Sequence, residues 1–154
     1  MTAEKRLILW SDLLKEDMKD LTSKLPYLGN CMVDHLGIVF LSDDEQGNLR
    51  AEMPVDHRTC QPYGVLNGGA SLALAESLVG HGSLRYCQED ELAFGIQVSG
   101  NHISVAKVGE KVIATGKLIH KGVSTHVWEV DIKTESGRLV STVRIVNYIK
   151  KRKK

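Results

Sequence analysis

Asn67-Gly68-Gly69-Ala70-Ser71-Leu72-Ala73-Leu74-Ala75-Glu76-Ser77 decides how this chain is read. A glycine pair opens an almost wholly apolar helix that carries one carboxylate and runs from about Gly68 to Arg85. From Gln61 to Leu84 the only Asp, Glu, Lys or Arg is Glu76. A carboxylate on so apolar a helix is expected to be desolvated, which strengthens its interaction with an electrophile or a water. Glu76 is therefore the first candidate for chemistry.

Outward from that helix, the pattern changes on both sides. Before it, Pro54 to Gly64 holds two prolines and few aliphatic residues and reads as a loop. Earlier still, His35 to Leu41 reads as a strand, Asp43-Asp44-Glu45-Gln46-Gly47-Asn48 as its turn, and Leu49, Ala51 and Met53 as the inward positions of a return strand. Leu9, Trp10, Leu13, Leu14, Met18 and Leu21 recur at helical spacing, so the chain is expected to begin with an amphipathic helix that Pro26 ends. After the apolar helix the period becomes two. Candidate strands lie near Ala93 to Val105, Lys111 to His120, Thr125 to Thr134 and Leu139 to Ile149, with Gly109, Gly122 and Ser136-Gly137 at the turns. Helix, hairpin, long apolar helix and meander make an α+β order, in which one antiparallel sheet can curl around the central helix.

The 154 residues favour one domain whose core needs no metal or disulfide staple. With a formal net charge of +1 and 25% charged residues, the chain has no broad basic field for nucleic acid, and the final Lys150-Lys151-Arg152-Lys153-Lys154 reads as a solvated tail. Cys31, Cys60 and Cys87 are odd in number and lack Cys-x-x-Cys spacing, so they suggest neither a disulfide framework nor a zinc site and fit a reducing cytoplasm. His35, His57, His81 and His120 have no ligand spacing, and no metal is assigned. The apolar run after Glu4, Lys5 and Arg6 is too short for a signal peptide. Tyr63 to Leu84 is long enough to span a membrane, but its glycines, Asn67, Glu76 and His81 argue for a helix buried in protein.

Gln61-Pro62-Tyr63-Gly64, then Gly68-Gly69-Ala70-Ser71, then Leu74-Ala75-Glu76-Ser77 stand in one register. With Met32-Val33-Asp34-His35-Leu36-Gly37, Met53-Pro54-Val55-Asp56-His57-Arg58-Thr59 and Val127-Trp128-Glu129-Val130, they make nearly the whole chain resemble the hotdog-fold thioesterases of the phenylacetate-degradation and aryl-CoA type. That group includes enzymes acting on 1,4-dihydroxy-2-naphthoyl-CoA and on aryl carrier proteins. The resemblance implies one hotdog domain over residues 1–154, with an N-terminal helical segment over 1–28 and the basic tail over 150–154. It implies a cytoplasmic hydrolase of an aromatic or medium-chain acyl-CoA, or acyl-carrier-protein, thioester. It also implies a homodimer or homotetramer with sites between subunits, and no cofactor beyond the coenzyme A of the substrate.

By family position, Glu76 attacks the thioester carbonyl or activates a water, the Gly68 N–H holds the oxyanion, and Gln61 orients the water or substrate. Asn67 stands where many relatives have histidine. It can donate a hydrogen bond to the thioester or cap the helix, but it cannot take up a proton near neutral pH. Gly80 stands where some relatives hold the water with Ser or Thr, a task that would fall to Ser77 or Ser83. Gly69, His102, Ser124 and Lys121 are expected to touch substrate, His102 from the strand lining the substrate or pantetheine channel unless it is a satisfied structural histidine, and Ser124 and Lys121 compensating for Val123 where relatives often have arginine. Trp128 and Tyr148 read as core. A non-catalytic acyl-CoA-binding module is the alternative to the hydrolase. A hydratase is disfavoured because the helix offers no histidine partner for its carboxylate.

Overall fold

The computed structural model describes Tyr27 and residues 29–152. The amphipathic helix expected over residues 9–21 lies outside them. Along the described chain come α1 (Met32–His35), β1 (Val39–Leu41), β2 (Leu49–Pro54), α2 (Gly68–Leu84), β3 (Glu91–His102), β4 (Lys111–Lys121), β5 (Thr125–Thr134) and β6 (Leu139–Lys151). The strands form one six-stranded sheet in the order β1-β2-β4-β5-β6-β3, every pairing antiparallel. No described helix is long and apolar enough to cross a membrane.

The strand expected from His35 to Leu41 is shorter than its sequence suggests. Asp34 Oδ2 accepts from the Cys31 N–H and Sγ, both at 2.9 Å, and this local closure turns Met32–His35 into α1. Gly37 then adopts φ +68°, with the Arg58 guanidinium where a side chain would be, and the strand begins only at Val39. The following turn has the expected chemistry. The Asp44 carboxylate accepts from the N–H groups of Gln46 and Asn48 and from the Asn48 side chain, and Gly47 is left-handed. The Lys150-Lys151 pair is not tail: it ends β6, with Lys151 opposite Glu91.

Period-two alternation in β4, β5 and β6 puts Val112, Ala114, Trp128, Val130, Ile132, Val143 and Ile145 on one face, all essentially buried. Helix α2 lies across that face and buries Leu74, Ala75, Leu78 and Val79 against it. Each such Leu or Val contributes about 1.5–3 kcal/mol by leaving water. The helix's angle is fixed by polar contacts as well as apolar ones. Trp128 Nε1 and Asn147 Nδ2 both donate to Ser83 Oγ at 2.9 Å, and Asn147 Nδ2 also donates to the Val79 carbonyl at 3.0 Å. This occupies Ser83, which is therefore not the water-holding hydroxyl that the sequence offered in place of Gly80.

Strand β3 pairs with β6 along its length and stands at the edge of the sheet. A register shift between Gly95 and Gln97 leaves Ile96 61% exposed, and Phe94 is 49% exposed. Tyr148, expected in the core, faces outward opposite Phe94 and is also exposed, because the register of β6 gives the inner face to Asn147 and Ile149. Trp128 is core, as expected.

Candidate active site

The loop before α2 is braced from several sides, so the helix begins at a defined place. Arg58 chelates Asp56, whose carboxyl it holds down at about 2, and Thr59 Oγ1 donates to the Pro54 carbonyl. Asn67 N–H then donates to the Thr59 carbonyl and Leu66 N–H to the Ala106 carbonyl. A bridge between Cys60 and Leu66 and the 2.8 Å bond from Gln61 N–H to the Val65 carbonyl set Gln61 beside the helix start, partly buried.

At that start Asn67 is an N-cap. Its backbone is extended and its Oδ1 accepts from Gly69 N–H at 2.7 Å. Gly69 N–H is therefore occupied by the cap. Gly68 N–H, the first donor of the helix, is left without a partner among the described residues. Over it lies His102, from the end of β3: a methyl carbon at Gly68 would stand 2.5 Å from His102 Nε2 and 2.9 Å from Cδ2. The missing side chain at position 68 makes room for that imidazole. His102 Nδ1 is in turn 2.9 Å from the buried Ser141 Oγ. Gln61, Asn67, Gly68 and His102 thus form one group around the positive end of a helix dipole, an environment suited to a developing negative charge.

Glu76 lies apart from that group, eight residues along α2, which is about 12 Å of rise and about 80° of rotation. Its carboxylate rests over Gly95, where any Cβ would overlap it. Contrary to the desolvation expected from the helix sequence, Glu76 is exposed within one chain. The reason is the direction it faces: Leu74, Ala75, Leu78 and Val79 take the sheet side, and Glu76 projects over the open edge strand β3. Gly80, one turn on, has nothing within 4 Å of where its side chain would be, so the space beside Glu76 is unfilled.

Ser124 and Lys121 are not brought to the helix start. They flank the β4–β5 turn, with Lys121 Nζ 5.0 Å from the centre of the Tyr86 ring. One transverse row, Gly95–Asn147–His126–Lys121, separates Lys121 from the seat of Glu76 by three strand spacings, about 14 Å. His126 in that row is buried and its pKa is lowered, by burial first and by Lys121 second. His81 is buried against Phe40 on the far side of the helix, its ring centre 4.8 Å away, and burial together with Arg85 pushes its pKa down to about 4. Neither imidazole reaches the helix start.

The sequence did not disclose two participants. Gly95 carried a signal, a glycine interrupting a strand pattern, which marks a close approach. Ser141 carried none, since a serine between Val140 and Val143 has no local pattern that announces a tertiary bond.

Residues 63–141 match the model of the thioesterase superfamily. The chain is 40% identical over 116 residues to the proofreading thioesterase EntH of Klebsiella pneumoniae, covering 75% of this chain and 83% of that one. It is 36% identical over 110 residues to the 1,4-dihydroxy-2-naphthoyl-CoA hydrolase of Listeria monocytogenes, covering 71% and 89%. The crystal structure of a thioesterase from Haemophilus influenzae superposes with a TM-score of 0.74 at 36% identity, over 89% of this chain and 92% of that one. With its six-stranded antiparallel sheet packed on one long helix, the chain belongs to the thioesterase superfamily as a hotdog-fold thioester hydrolase.

Proposed function

We propose that this protein hydrolyses an aromatic or medium-chain acyl-CoA, or acyl-carrier-protein, thioester at a site shared by two copies of the chain. It works without a resident cofactor, coenzyme A leaving as product. The observation that carries the reading is the separation of the two halves of the chemistry along α2. Gly68 N–H and Glu76 are about 12 Å apart by helix rise, whereas groups acting on one thioester carbon must lie within about 3–3.5 Å of the atoms they serve.

An open edge strand offers the second copy. If two β3 strands pair antiparallel about a two-fold axis between Val98 and Ser99, Gly95 of one lies opposite His102 of the other. Each Glu76 carboxylate then meets the other copy's helix start. The same pairing covers Phe94 and Ile96 and takes Glu76 out of bulk water. In this arrangement Glu76 takes a proton from water or attacks directly, Gly68 N–H holds the oxyanion, and Gln61 and Asn67 orient the reactants. Two such dimers make the tetramer. The named activity of the 1,4-dihydroxy-2-naphthoyl-CoA hydrolase relative supports an aromatic acyl group.

A hydrolysis screen over aromatic and aliphatic CoA thioesters, read by thiol release, tests the reaction. Glu76→Gln is expected to lower turnover by about two to four orders of magnitude. A thioester that binds and stays intact for hours would instead make the protein a binding module. Mixing tests the sharing: co-expressed Glu76→Gln and Gly68→Val chains regain activity only if one site draws its donor from one chain and its carboxylate from the other. No recovery in a confirmed heterodimer, or a fully active monomer in sedimentation, refutes the shared site.

A further inference from the structure

We infer that His102, oriented by Ser141, supplies a second oxyanion donor through its Nε2–H, so that the imidazole of this site comes from the edge strand. The inference rests on the thioesterase reading above and assigns within it a role for two residues at the helix start.

Three observations lead there. The Nε2 edge of the ring faces Gly68, with Nε2, Cδ2 and Cε1 at 2.5, 2.9 and 3.1 Å from where a methyl carbon on that glycine would be. The same glycine carries the one helix-start N–H that the cap leaves open, since Asn67 Oδ1 has taken Gly69 N–H. Nδ1, on the other side of the ring, is 2.9 Å from Ser141 Oγ, and Ser141 is fully buried.

The tautomer follows from the hydroxyl. Among the described residues Nδ1 is the only partner of the Ser141 side chain, and a buried hydroxyl that donates to nothing forfeits about 1–3 kcal/mol of desolvation. Ser141 O–H therefore donates, Nδ1 accepts, and the ring proton resides on Nε2. That proton lies on the edge of the ring that faces Gly68.

In the reaction, the water oxygen bonds to the thioester carbon as Glu76 takes the water proton, and the carbonyl electron pair moves onto oxygen. Gly68 N–H and His102 Nε2–H hydrogen-bond that oxygen without giving up their protons. The carbonyl then re-forms and the C–S bond breaks. Sulfur leaves with the bonding pair and takes the proton that Glu76 held. His102 is thus a catalytic residue, unchanged in protonation throughout, and Ser141 is a positioning residue.

The test pairs kinetics with a direct view of the ring. Long-range proton–nitrogen NMR at pH 8 is expected to show His102 in the Nε2–H form in the wild type and a mixture of tautomers in Ser141→Ala; an Nδ1–H ring in the wild type overturns the inference. His102→Ala is expected to lower kcat on the best thioester by about 10²-fold with KM nearly constant, as for removal of one oxyanion donor. His102→Gln, which returns an N–H to the same region, should recover about tenfold of that, and Ser141→Ala should lose about five- to tenfold in kcat, within the cost of misaligning a positioned group. A His102→Ala protein that unfolds like the wild type, keeps its kcat and raises only KM would make the imidazole a substrate contact and overturn the donor role. Retention of the Glu76→Gln defect in that case shows that the thioesterase reading stands. Absence of all thioester turnover in the wild type sinks both.

Discussion

Replacing Gly95 by alanine should separate stability from catalysis in this protein. The new methyl carbon would lie 3.3 Å from Glu76 Cδ and 3.5 Å from Cγ, both tolerable, and would overlap Oε1, which is not. The carboxylate is the far end of a flexible side chain, so it yields by rotating away by about 1.5 Å until the contact reaches the ordinary 3.5–4.0 Å. Gly95 is not in the left-handed region and sits in an edge strand, so alanine fits its backbone and is expected to leave stability unchanged or raise it by up to about 1 kcal/mol. A displacement of about 1 Å in a reacting group costs about 10²-fold in rate. Gly95→Ala is therefore expected to lose about 100-fold in kcat/KM for a CoA thioester while its urea midpoint holds or rises. Thiol release and urea unfolding on the same preparation measure both. Wild-type kcat/KM would show that the carboxylate does not work from its seat over Gly95, and a loss of several kcal/mol in stability would show that the glycine serves packing instead.

Asn67→Ala removes the 2.7 Å cap on Gly69 N–H, so it should cost about 1 kcal/mol of stability in denaturant titrations. If the Asn67 amide also donates to substrate, the same change should lose about 1–3 kcal/mol of transition-state stabilisation independently of pH, and Asn67→His should add a titration to the kcat/KM profile; an unchanged rate in Asn67→Ala leaves position 67 a cap alone. His81 gives the fold a dependence on acid. Its folded pKa of about 4 lies below the ordinary 6.5, so the unfolded chain binds a proton first as pH falls. The stability that comes from keeping His81 neutral is complete above pH 6.5 and is lost between about 6.5 and 4, an interval that corresponds to about 3 kcal/mol. Urea midpoints from pH 8 to pH 4 should fall more steeply for the wild type than for His81→Leu, and parallel curves would refute the assignment.

What the sequence disclosed and what it withheld divide along a physical line. The ends of α2, β4, β5 and β6 fell within about two residues of expectation, because apolar periodicity and glycine turns act locally. α1 was missed because four residues held by Asp34 reaching back to Cys31 leave no periodic trace. The seat of Glu76 depends on β3 standing beside the helix with a glycine at position 95, and the link from Gly68 through His102 to Ser141 depends on β3 and β6 pairing. Contacts of this kind are made by the fold, and the order of residues along the chain does not announce them.

One consequence of the tertiary structure is nevertheless written in the spacing alone. Gly68 and Glu76 are eight residues apart on a helix that has no proline to bend it. At 1.5 Å and 100° per residue, that spacing fixes them about 12 Å apart and about 80° around the axis. No side-chain rotation brings a glycine N–H nearer, and a glutamate side chain cannot fold back over two turns of its own helix without leaving its seat. A donor and a base at this spacing serve one thioester carbon only when they belong to different helices. The interval between Gly68 and Glu76 is therefore itself an argument for pairing, and the edge strand beneath Glu76 is where that pairing has room to form.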